Sequence, residues 1–268
     1  MWIALVTLGL IAVAAAGWVA FGAWRFRTYH RFKVIDVPAS PLAGYLWSEL
    51  QNVTTLAQWQ VRGAFADGLR QPIGRVTGPP VVCIHGITQD GSNLWGIRGA
   101  LERVGRPTRA VSMGRARWRL RSYCAPVERA LRETIAASPD GMVDVVAHSL
   151  GGLVLRVVLA RHPELGAHLR RAVTLGSPHH GTAFTRGLPS WKPLEGLHRD
   201  GGGGLPGIPA ARVTTIAAIS DFLVYPSSTC HLPDARRVEL LGVSHIGLLT
   251  RPEAIAAVLA AIVGEPDV

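Results

Sequence analysis

The sequence is poor in charge and in cysteine for a chain of its length. Only 17% of its 268 residues are charged, whereas 48% are hydrophobic. This composition excludes an intrinsically disordered chain, because disordered chains are poor in apolar residues. Three cysteines are too few and too scattered for a disulfide or zinc framework. The length predicts one sizeable globular domain, or one domain with an appendage.

Acidic residues are fewer than basic ones, and nearly all the basic residues are arginine. The formal net charge is +10, and Lys33 and Lys192 are the only lysines. A basic balance suits nucleic acid, an anionic membrane surface or an acidic substrate, and it also suits an ordinary solvated surface. No recognised nucleic-acid motif accompanies the charge, so we expect no nucleic-acid partner.

Charge is absent altogether from the segment Trp2–Trp24. As a helix this segment would extend ~34 Å, enough to cross the ~30 Å hydrocarbon core of a bilayer. A cleaved signal peptide is the alternative, but no basic residue precedes the apolar run. We predict a single-pass membrane anchor at residues 1–33, with the rest of the chain in the cytoplasm or, alternatively, exported. The cytoplasmic orientation follows from the basic residues just after the apolar segment, which are Arg25, Arg27, Arg31 and Lys33.

Residues 34–79 are predicted to form an amphipathic helix and a connection. Ser40 and Pro41 are typical of a helix start, and apolar residues then recur at helical spacing as far as Leu56. This helix can pack against the domain or lie on a membrane, and the pattern fits both. Glycine and proline over residues 63–80 predict an irregular connection.

Strand and helix patterns alternate over residues 80–268, which we predict to be the catalytic or binding domain. This alternation indicates an α/β fold with a mostly parallel sheet flanked by helices. A capping box at Thr250 and Glu253 predicts the start of the last helix. No clear pair of strands precedes this region, so we expect a shortened sheet. Strands are predicted at 81–84, 109–112, 142–146, 172–175, 213–219 and 238–243, and helices at 127–135, 150–160 and 250–263.

A serine lies where an apolar strand meets an apolar helix, within the segment Ala147–Gly152. A sharp turn at this point exposes the corner side chain and requires small residues two positions before and after it. Ala147 and Gly151 meet that requirement around Ser149. The start of the helix also presents backbone N–H groups, including that of Leu150, to a developing oxyanion. Ser149 is therefore the candidate nucleophile.

The turn after the first core strand reads Ile84-His85-Gly86-Ile87. It can direct the backbone N–H of Ile87 towards the same oxyanion, which makes Ile87 and Leu150 the candidate oxyanion hole. His85 precedes the candidate nucleophile in the chain, and its position favours ordering of the turn over a role as the base.

Two later strands are followed by an acid and a histidine. Asp221 comes after the strand at 213–219, and His245 comes after the strand at 238–243. A serine nucleophile needs a base, and the base needs a carboxylate to fix its tautomer. The order Ser149, Asp221, His245 is the one expected for a strand–serine–helix site. The competing acids Asp144, Asp200 and Asp234 lie in less suitable places.

These segments resemble the α/β-hydrolase superfamily, and within it the lipase/esterase group. The resemblance covers most of the region from residue 80 to residue 250, with Ala147 where glycine is commoner. It implies the α/β-hydrolase fold, a Ser149–Asp221–His245 triad, an oxyanion hole at Ile87 and Leu150, and a small lid at about 183–212. It also places His85, His148, His179 and His180 at the substrate site. The matching segments are IHGI at 84–87, VVAHSLGG at 145–152, LGSPHHGT at 175–182, SDFLVYP at 220–226 and GVSHIGLL at 242–249.

Two further features have more than one interpretation. His179 and His180 can line the substrate cleft or serve the structure, and no further ligand at a suitable spacing supports a metal site, so we expect no metal and no cofactor. A loop of alternating arginines around Trp118 is predicted to contact lipid phosphate or, alternatively, to be an ordinary solvated surface. Its arginines are Arg115, Arg117, Arg119 and Arg121.

The sequence thus predicts a membrane-anchored serine hydrolase that cleaves carboxylic esters of lipids or other acyl groups through an acyl-enzyme. An acyltransferase or thioesterase acting through the same triad is the alternative, and a non-catalytic membrane-tethered binding protein is a third interpretation. Serine at the strand–helix corner argues against the dehalogenases and epoxide hydrolases of the superfamily, which use aspartate. We expect an acyl-ester or lipid substrate, and the sequence has no signal for an oligomeric state.

Overall fold

The computed structural model describes most of the region after residue 42. The predicted anchor Trp2–Trp24, the Ser40–Pro41 helix start and most of the predicted lid and arginine loop lie outside the described residues. Among the residues that are described, no helix has the length and apolar character needed to cross a bilayer. The described residues are 42–62, 68–72, 75–114, 120–182, 205 and 207–264, with the isolated helical positions Ala16, Gly17, Ala20 and Trp24.

Seven strands form one sheet in the order β1-β3-β2-β4-β5-β6-β7. Six of them are parallel, and the short β1 pairs antiparallel with β3. This confirms the predicted mostly parallel sheet. The strands are β1 Gly68–Arg70, β2 Val81–Ile84, β3 Thr108–Val111, β4 Val143–His148, β5 Leu169–Leu175, β6 Val213–Ala218 and β7 Arg236–Leu240.

Helices connect the strands and flank the sheet. The α-helices are α1 Leu42–Arg62, α2 Trp95–Arg103, α3 Cys124–Ala137, α4 Leu150–Arg161, α5 Pro163–Ala167, α6 Gly247–Thr250 and α7 Pro252–Val263. Short 3₁₀ turns lie at Gly91–Leu94, Leu120–Tyr123, Ala210–Arg212 and Ser227–Cys230.

The sheet is buried on both faces, which explains why its central strands are almost wholly apolar. Successive side chains of a strand point to opposite faces, so β2 sends Val82 and Ile84 to one layer and Val81 and Cys83 to the other. The first layer contains α3 and α4, and the second contains α1, α2 and α7. At ~25 cal/mol per Å² of apolar surface removed from water, these two layers supply the main driving force for folding.

Helix α1 packs against the domain through one face. Leu56 lies in the second core layer, and Glu49 and Asn52 are buried on the same side of the helix. Spacings of three and four residues place these side chains on one helical face. Trp47 and Leu50 lie on the exposed side. Of the two interpretations of this helix, the structure therefore supports packing against the domain.

Two local predictions were wrong. Helix α7 begins after Arg251 and not at a Thr250 cap, because the Thr250 hydroxyl donates to Asn52 Oδ1 at 2.7 Å and Arg251 holds Glu253 at 3.2 Å. The region 63–80 also contains β1, which the Gly-Leu-Arg sequence is too short to signal by periodicity. The sheet thus has one leading strand where none was predicted.

Candidate active site

Ser149 occupies a strained turn between β4 and α4. Its backbone angles are φ 52° and ψ −121°, which lie outside the regions that residues other than glycine normally adopt. The turn is held by the Ser149 N–H, which donates to Leu175 O at 2.8 Å. Strain of this kind is maintained only where the surrounding structure enforces it, and it is common at functional sites. The half-buried Ser149 side chain therefore lies at the carboxyl edge of the sheet, as the sequence predicted.

Glycine is required around this turn because neighbouring backbones nearly touch. A Cβ atom on Gly151 would lie 2.6 Å from His85 O, and one on Gly86 would lie 3.1 Å from the Ser149 Cβ. Both distances are shorter than ordinary van der Waals contact. The Gly86–Ile87 turn and the start of α4 are consequently brought together beside Ser149. Ile87 and Leu150, the predicted oxyanion residues, lie on these two segments.

Asp221 and His245 form a buried pair at the same edge of the sheet. His245 Nδ1 lies 2.6 Å from Asp221 Oδ2, and both side chains are buried. The other carboxylate oxygen, Oδ1, accepts the N–H groups of Leu223 at 2.7 Å and Val224 at 2.9 Å. A carboxylate fixed in this way accepts the proton of Nδ1 and leaves the lone pair of the imidazole on Nε2.

His148 lies between the turn at Ser149, called the serine turn, and the loop of residues 241–246 that carries His245, called the histidine loop. Its ring centroid lies 4.7 Å from that of His245, and its Nε2 lies 3.2 Å from the backbone oxygen of His245. Its Nδ1 lies 3.1 Å from Gln89 Oε1. Burial, and then the nearby His245, keep the pKa of His148 well below its usual value. A neutral ring carries one proton, so His148 donates to one of these two oxygens at a time.

Gln89 is a residue of the site that the sequence reasoning missed. Its Oε1 accepts the N–H of Gly86 at 2.7 Å and also faces His148. Thr88 beside it has a positive φ of 59°, which is unusual for a β-branched residue. The side chain thus closes the Gly86–Ile87 turn on itself. The only local signal is an amide three residues after a glycine, a spacing at which side chains often bond back to the backbone.

His85 also hydrogen-bonds to the Gly86–Ile87 turn. The ring is buried, its Nδ1 bonds Gly86 O at 2.7 Å, and its Nε2 accepts the N–H of Met113 at 2.9 Å. Both nitrogens are engaged by backbone groups, which agrees with the expected turn-ordering role. A contact between His85 and substrate stays a prediction, as it does for the equally buried His148.

His179 and His180 differ in their surroundings. His179 is fully buried, its Nε2 lies 3.1 Å from Thr174 Oγ1, and its Nδ1 has no hydrogen-bond partner among the described residues. Burial lowers the pKa of His179 to about 3, so the ring is neutral at neutral pH. His180 is half-buried, and its Nε2 donates to His231 O at 2.9 Å. Their predicted part in substrate binding is untested by these contacts.

Other candidate chemistry is disfavoured by burial and pairing. Cys83, Cys124 and Cys230 are buried, and burial raises the pKa of each thiol, that of Cys83 to about 12. A protonated thiol is a poor nucleophile. The competing acid Asp144 pairs with two arginines far from Ser149 along β4, and Asp234 is exposed. No group of three or more potential metal ligands occurs in the part of the chain that the structure describes.

Residues 80–203 match the palmitoyl protein thioesterase family, a span that includes Ile87, Ser149 and Leu150 but ends before Asp221. No curated protein matches the sequence significantly. The fold comparison is broader, because several hundred solved chains match the structure.

Three of these solved structures illustrate the shared fold. A lipase from Bacillus licheniformis is 17% identical with a TM-score of 0.56, and the match covers 73% of this chain and 97% of that one. Lipase B of Aspergillus fumigatus is 19% identical with a TM-score of 0.58, covering 72% and 56% respectively. An α/β serine hydrolase without a lid from Xanthomonas campestris is 12% identical with a TM-score of 0.52, covering 75% and 88%.

The parallel sheet, the serine turn at its carboxyl edge and these similarities define an α/β-hydrolase fold. The chain has this fold, and residues 80–203 are similar to the palmitoyl protein thioesterase family. The fold that the resemblance implied is thereby confirmed.

Proposed function

We propose that the protein is a serine hydrolase that cleaves carboxylic esters of lipids or other acyl groups. The observation that carries this proposal is the 2.6 Å pair between His245 Nδ1 and Asp221 Oδ2, which lies beside the strained turn of Ser149. A buried carboxylate–histidine pair next to a half-buried serine at a strand–helix corner is the arrangement that activates a hydroxyl nucleophile.

The proposed reaction has two halves. Ser149 Oγ attacks the carbonyl carbon of the ester while His245 Nε2 takes the hydroxyl proton, and Asp221 stabilises the imidazolium. The oxyanion that forms is held by the backbone N–H groups of Ile87 and Leu150, each of which contributes ~10²–10³ in rate. Collapse expels the alcohol, which receives the proton from His245 and leaves the acyl group on Ser149.

Water completes the cycle by the same route. His245 takes a proton from the water as it attacks the acyl-enzyme, and the carboxylic acid leaves as Ser149 recovers its proton. The site then returns to its starting protonation state. Buried neutral His148 adds no positive charge beside the His245 imidazolium, which favours the charge that develops there.

A thioesterase is the second candidate, because residues 80–203 match the palmitoyl protein thioesterase family. The same triad cleaves an oxygen ester or a thioester, and only the leaving group differs. We also propose that Trp2–Trp24 anchors the enzyme in a membrane with its catalytic domain in the cytoplasm, close to apolar acyl substrates.

Hydrolysis of p-nitrophenyl esters from acetate to palmitate, and of a palmitoyl thioester, tests this function in the full chain. The expected result is hydrolysis that falls by ~10⁶-fold in Ser149→Ala, because serine and histidine act as one unit. Preference for the thioester would select the thioesterase. Ester hydrolysis that survives Ser149→Ala would contradict the proposed nucleophile.

A further inference from the structure

Asn52 of helix α1 is a buried side chain that bonds to residues on either side of His245. Asn52 Nδ2 donates to Ser244 Oγ at 3.3 Å, and Asn52 Oδ1 accepts the Thr250 hydroxyl at 2.7 Å. Ser244 immediately precedes His245, and Thr250 follows it by five residues at the end of α6. The two ends of one amide thus bond to both sides of the segment that holds the proposed base.

The groups in this contact make further hydrogen bonds. Ser244 Oγ also accepts the N–H of Gly247 at 3.0 Å, and Asn52 Nδ2 donates a second bond to Glu49 Oε1 at 3.2 Å. Asn52, Ser244 and Glu49 are all buried. A Cβ atom on Gly247 would lie only 3.2 Å from Asn52 Nδ2, so the loop backbone is pressed against the helix. Buried polar networks that are fully paired hold one arrangement rigidly, because each broken bond leaves an unsatisfied group.

The other hydrogen bonds of His245 fix its ring and its backbone oxygen. The residues on either side of it, Ser244 and Thr250, are bonded by α1. Asp221 fixes the ring through Nδ1, and His148 faces the backbone oxygen of His245. Neither of these hydrogen bonds involves the side chain of Ser244 or Thr250. Among the described residues, the Ser244 hydroxyl accepts hydrogen bonds from Asn52 Nδ2 and from the N–H of Gly247 in its own loop.

We propose that Asn52 is a positioning residue of the active site, and that α1 is thereby a working part of the catalytic domain. Asn52 acts through Ser244 and Thr250 to place His245 Nε2 opposite Ser149 Oγ, so the inference rests on the proposed role of His245. A displacement of about 1 Å at a reacting group lowers the rate by roughly 10²-fold. Residues 34–79, which the sequence predicts to form an amphipathic helix and a connection, thus include a helix that sets the geometry of the base.

The test compares Asn52→Leu with the wild type in the full chain. We expect kcat to fall about 10- to 100-fold with KM unchanged, because the base is misplaced while the acyl site is intact. The rate of labelling by a fluorophosphonate probe should fall in parallel. The downfield proton resonance of His245 Nδ1–H should shift or broaden, which a loss of stability alone would not produce in the folded fraction.

Leu56→Ala is the matched control, since Leu56 lies one turn further along the same buried face of α1 and contacts no part of the histidine loop through a polar group. It should lower the melting temperature and leave kcat per folded molecule unchanged. Ser244→Ala approaches the same contact from the loop side. The double variant Asn52→Leu/Ser244→Ala should be no slower than the slower single variant, because both remove one interaction.

The outcomes separate this inference from the proposed function. Wild-type protein that is not labelled by the probe would overturn both. Labelled wild type with an equal rate in Asn52→Leu and in Ser244→Ala would overturn the positioning role alone. An equal loss of kcat in Leu56→Ala would also overturn it, because α1 would then act only through general stability.

Discussion

The two edges of the parallel sheet both bury polar side chains, but they do so in different ways. At the amino-terminal edge, the buried Asp144 accepts Arg106 and, at 2.8 Å, Arg170. At the carboxyl edge, Asp221 accepts one histidine and two backbone N–H groups. The Asp144 carboxylate is therefore bonded by two arginines, whereas the Asp221 carboxylate is bonded by a histidine and by backbone N–H groups.

Arginines at the amino-terminal edge are hydrogen-bonded to the last helix, α7. Arg106, Arg170 and Arg171 all donate to Ile262 O near the end of α7, with distances of 3.4, 3.3 and 2.7 Å. Cations at a helix C-terminus bond the carbonyls that lack helical partners and oppose the helix dipole. Burial lowers the pKa of Arg106, and Asp144 acts in the opposite direction. Arg106 and Arg170 are thus each bonded to the Asp144 carboxylate and to the Ile262 carbonyl.

The other edge holds strain and neutral histidines. Ser149 and Thr88 have positive φ angles, and burial keeps the pKa of His148 and His179 below the usual value. Such features cost stability and persist at sites where a reactive geometry is needed. The comparison teaches that burial of a carboxylate does not identify a catalytic acid. Its partners are more informative, because Asp144 pairs with two arginines whereas Asp221 bonds His245, the proposed base.

The largest expected effect is a loss of activity when Asp221, the partner of the proposed base His245, is replaced. Asp221→Asn should lower kcat by ~10⁴-fold, because the amide favours the wrong tautomer of His245. The amide oxygen can still accept the N–H groups of Leu223 and Val224, so unfolding by urea should change little. Steady-state kinetics with a p-nitrophenyl ester measures the loss. Asp234→Asn, at an exposed position, is the control, and equal activities for the two variants would contradict the assignment of Asp221.

The next largest expected effect is a loss of stability when the buried ion pair at the amino-terminal edge of the sheet is removed. Asp144→Asn leaves Arg106 buried without its counter-charge, which should cost about 3–5 kcal/mol of unfolding free energy. The activity per folded molecule should not change, since Asp144 lies at the opposite edge from Ser149. Urea denaturation together with titration of the active serine separates the two quantities. Glu164→Gln, in an exposed pair with Arg132, should have no measurable effect on stability.

The smallest effect concerns a neutral histidine at the catalytic edge. The folded-state pKa of His179 is about 3, below the value of the unfolded chain, so the unfolded state binds the proton first as the pH falls. Stability is therefore lost by about 1.4 kcal/mol per pH unit from roughly pH 6 downwards. His179→Gln should show a shallower decline between about pH 6 and pH 4 in urea titrations. Parallel curves for the two proteins would show that His179 is not neutral in the folded state.

The sequence predicted the parts of the site that follow from local order. Strand–serine–helix and strand–acid or strand–histidine patterns placed Ser149, Asp221 and His245 at strand ends, and the carboxyl ends of parallel strands share one edge. The apolar runs of β2 and β4 were found for the same reason, because strands buried on both faces are continuously apolar. Strand β7 ends at Leu240, so His245 lies on a longer loop than the predicted strand at 238–243 implied.

Long-range pairing was not predictable in this way. Asn52 and Ser244 are 192 positions apart, and nothing in either segment signals the other. The same contact explains the wrong capping box, since the Thr250 hydroxyl serves Asn52 in place of the helix end. Gln89 escaped notice because an amide in a loop is ordinary until its bond to Gly86 is known.

The central claim is that the Asp221–His245 pair activates Ser149 and no other nucleophile. The most direct measurement is the site of covalent labelling by a fluorophosphonate probe, mapped by mass spectrometry of proteolytic peptides. The account predicts one adduct on Ser149, formed far more slowly in Asp221→Asn and at the wild-type rate in folded Asp144→Asn. An adduct at another residue, or equal labelling of wild type and Asp221→Asn, would contradict it.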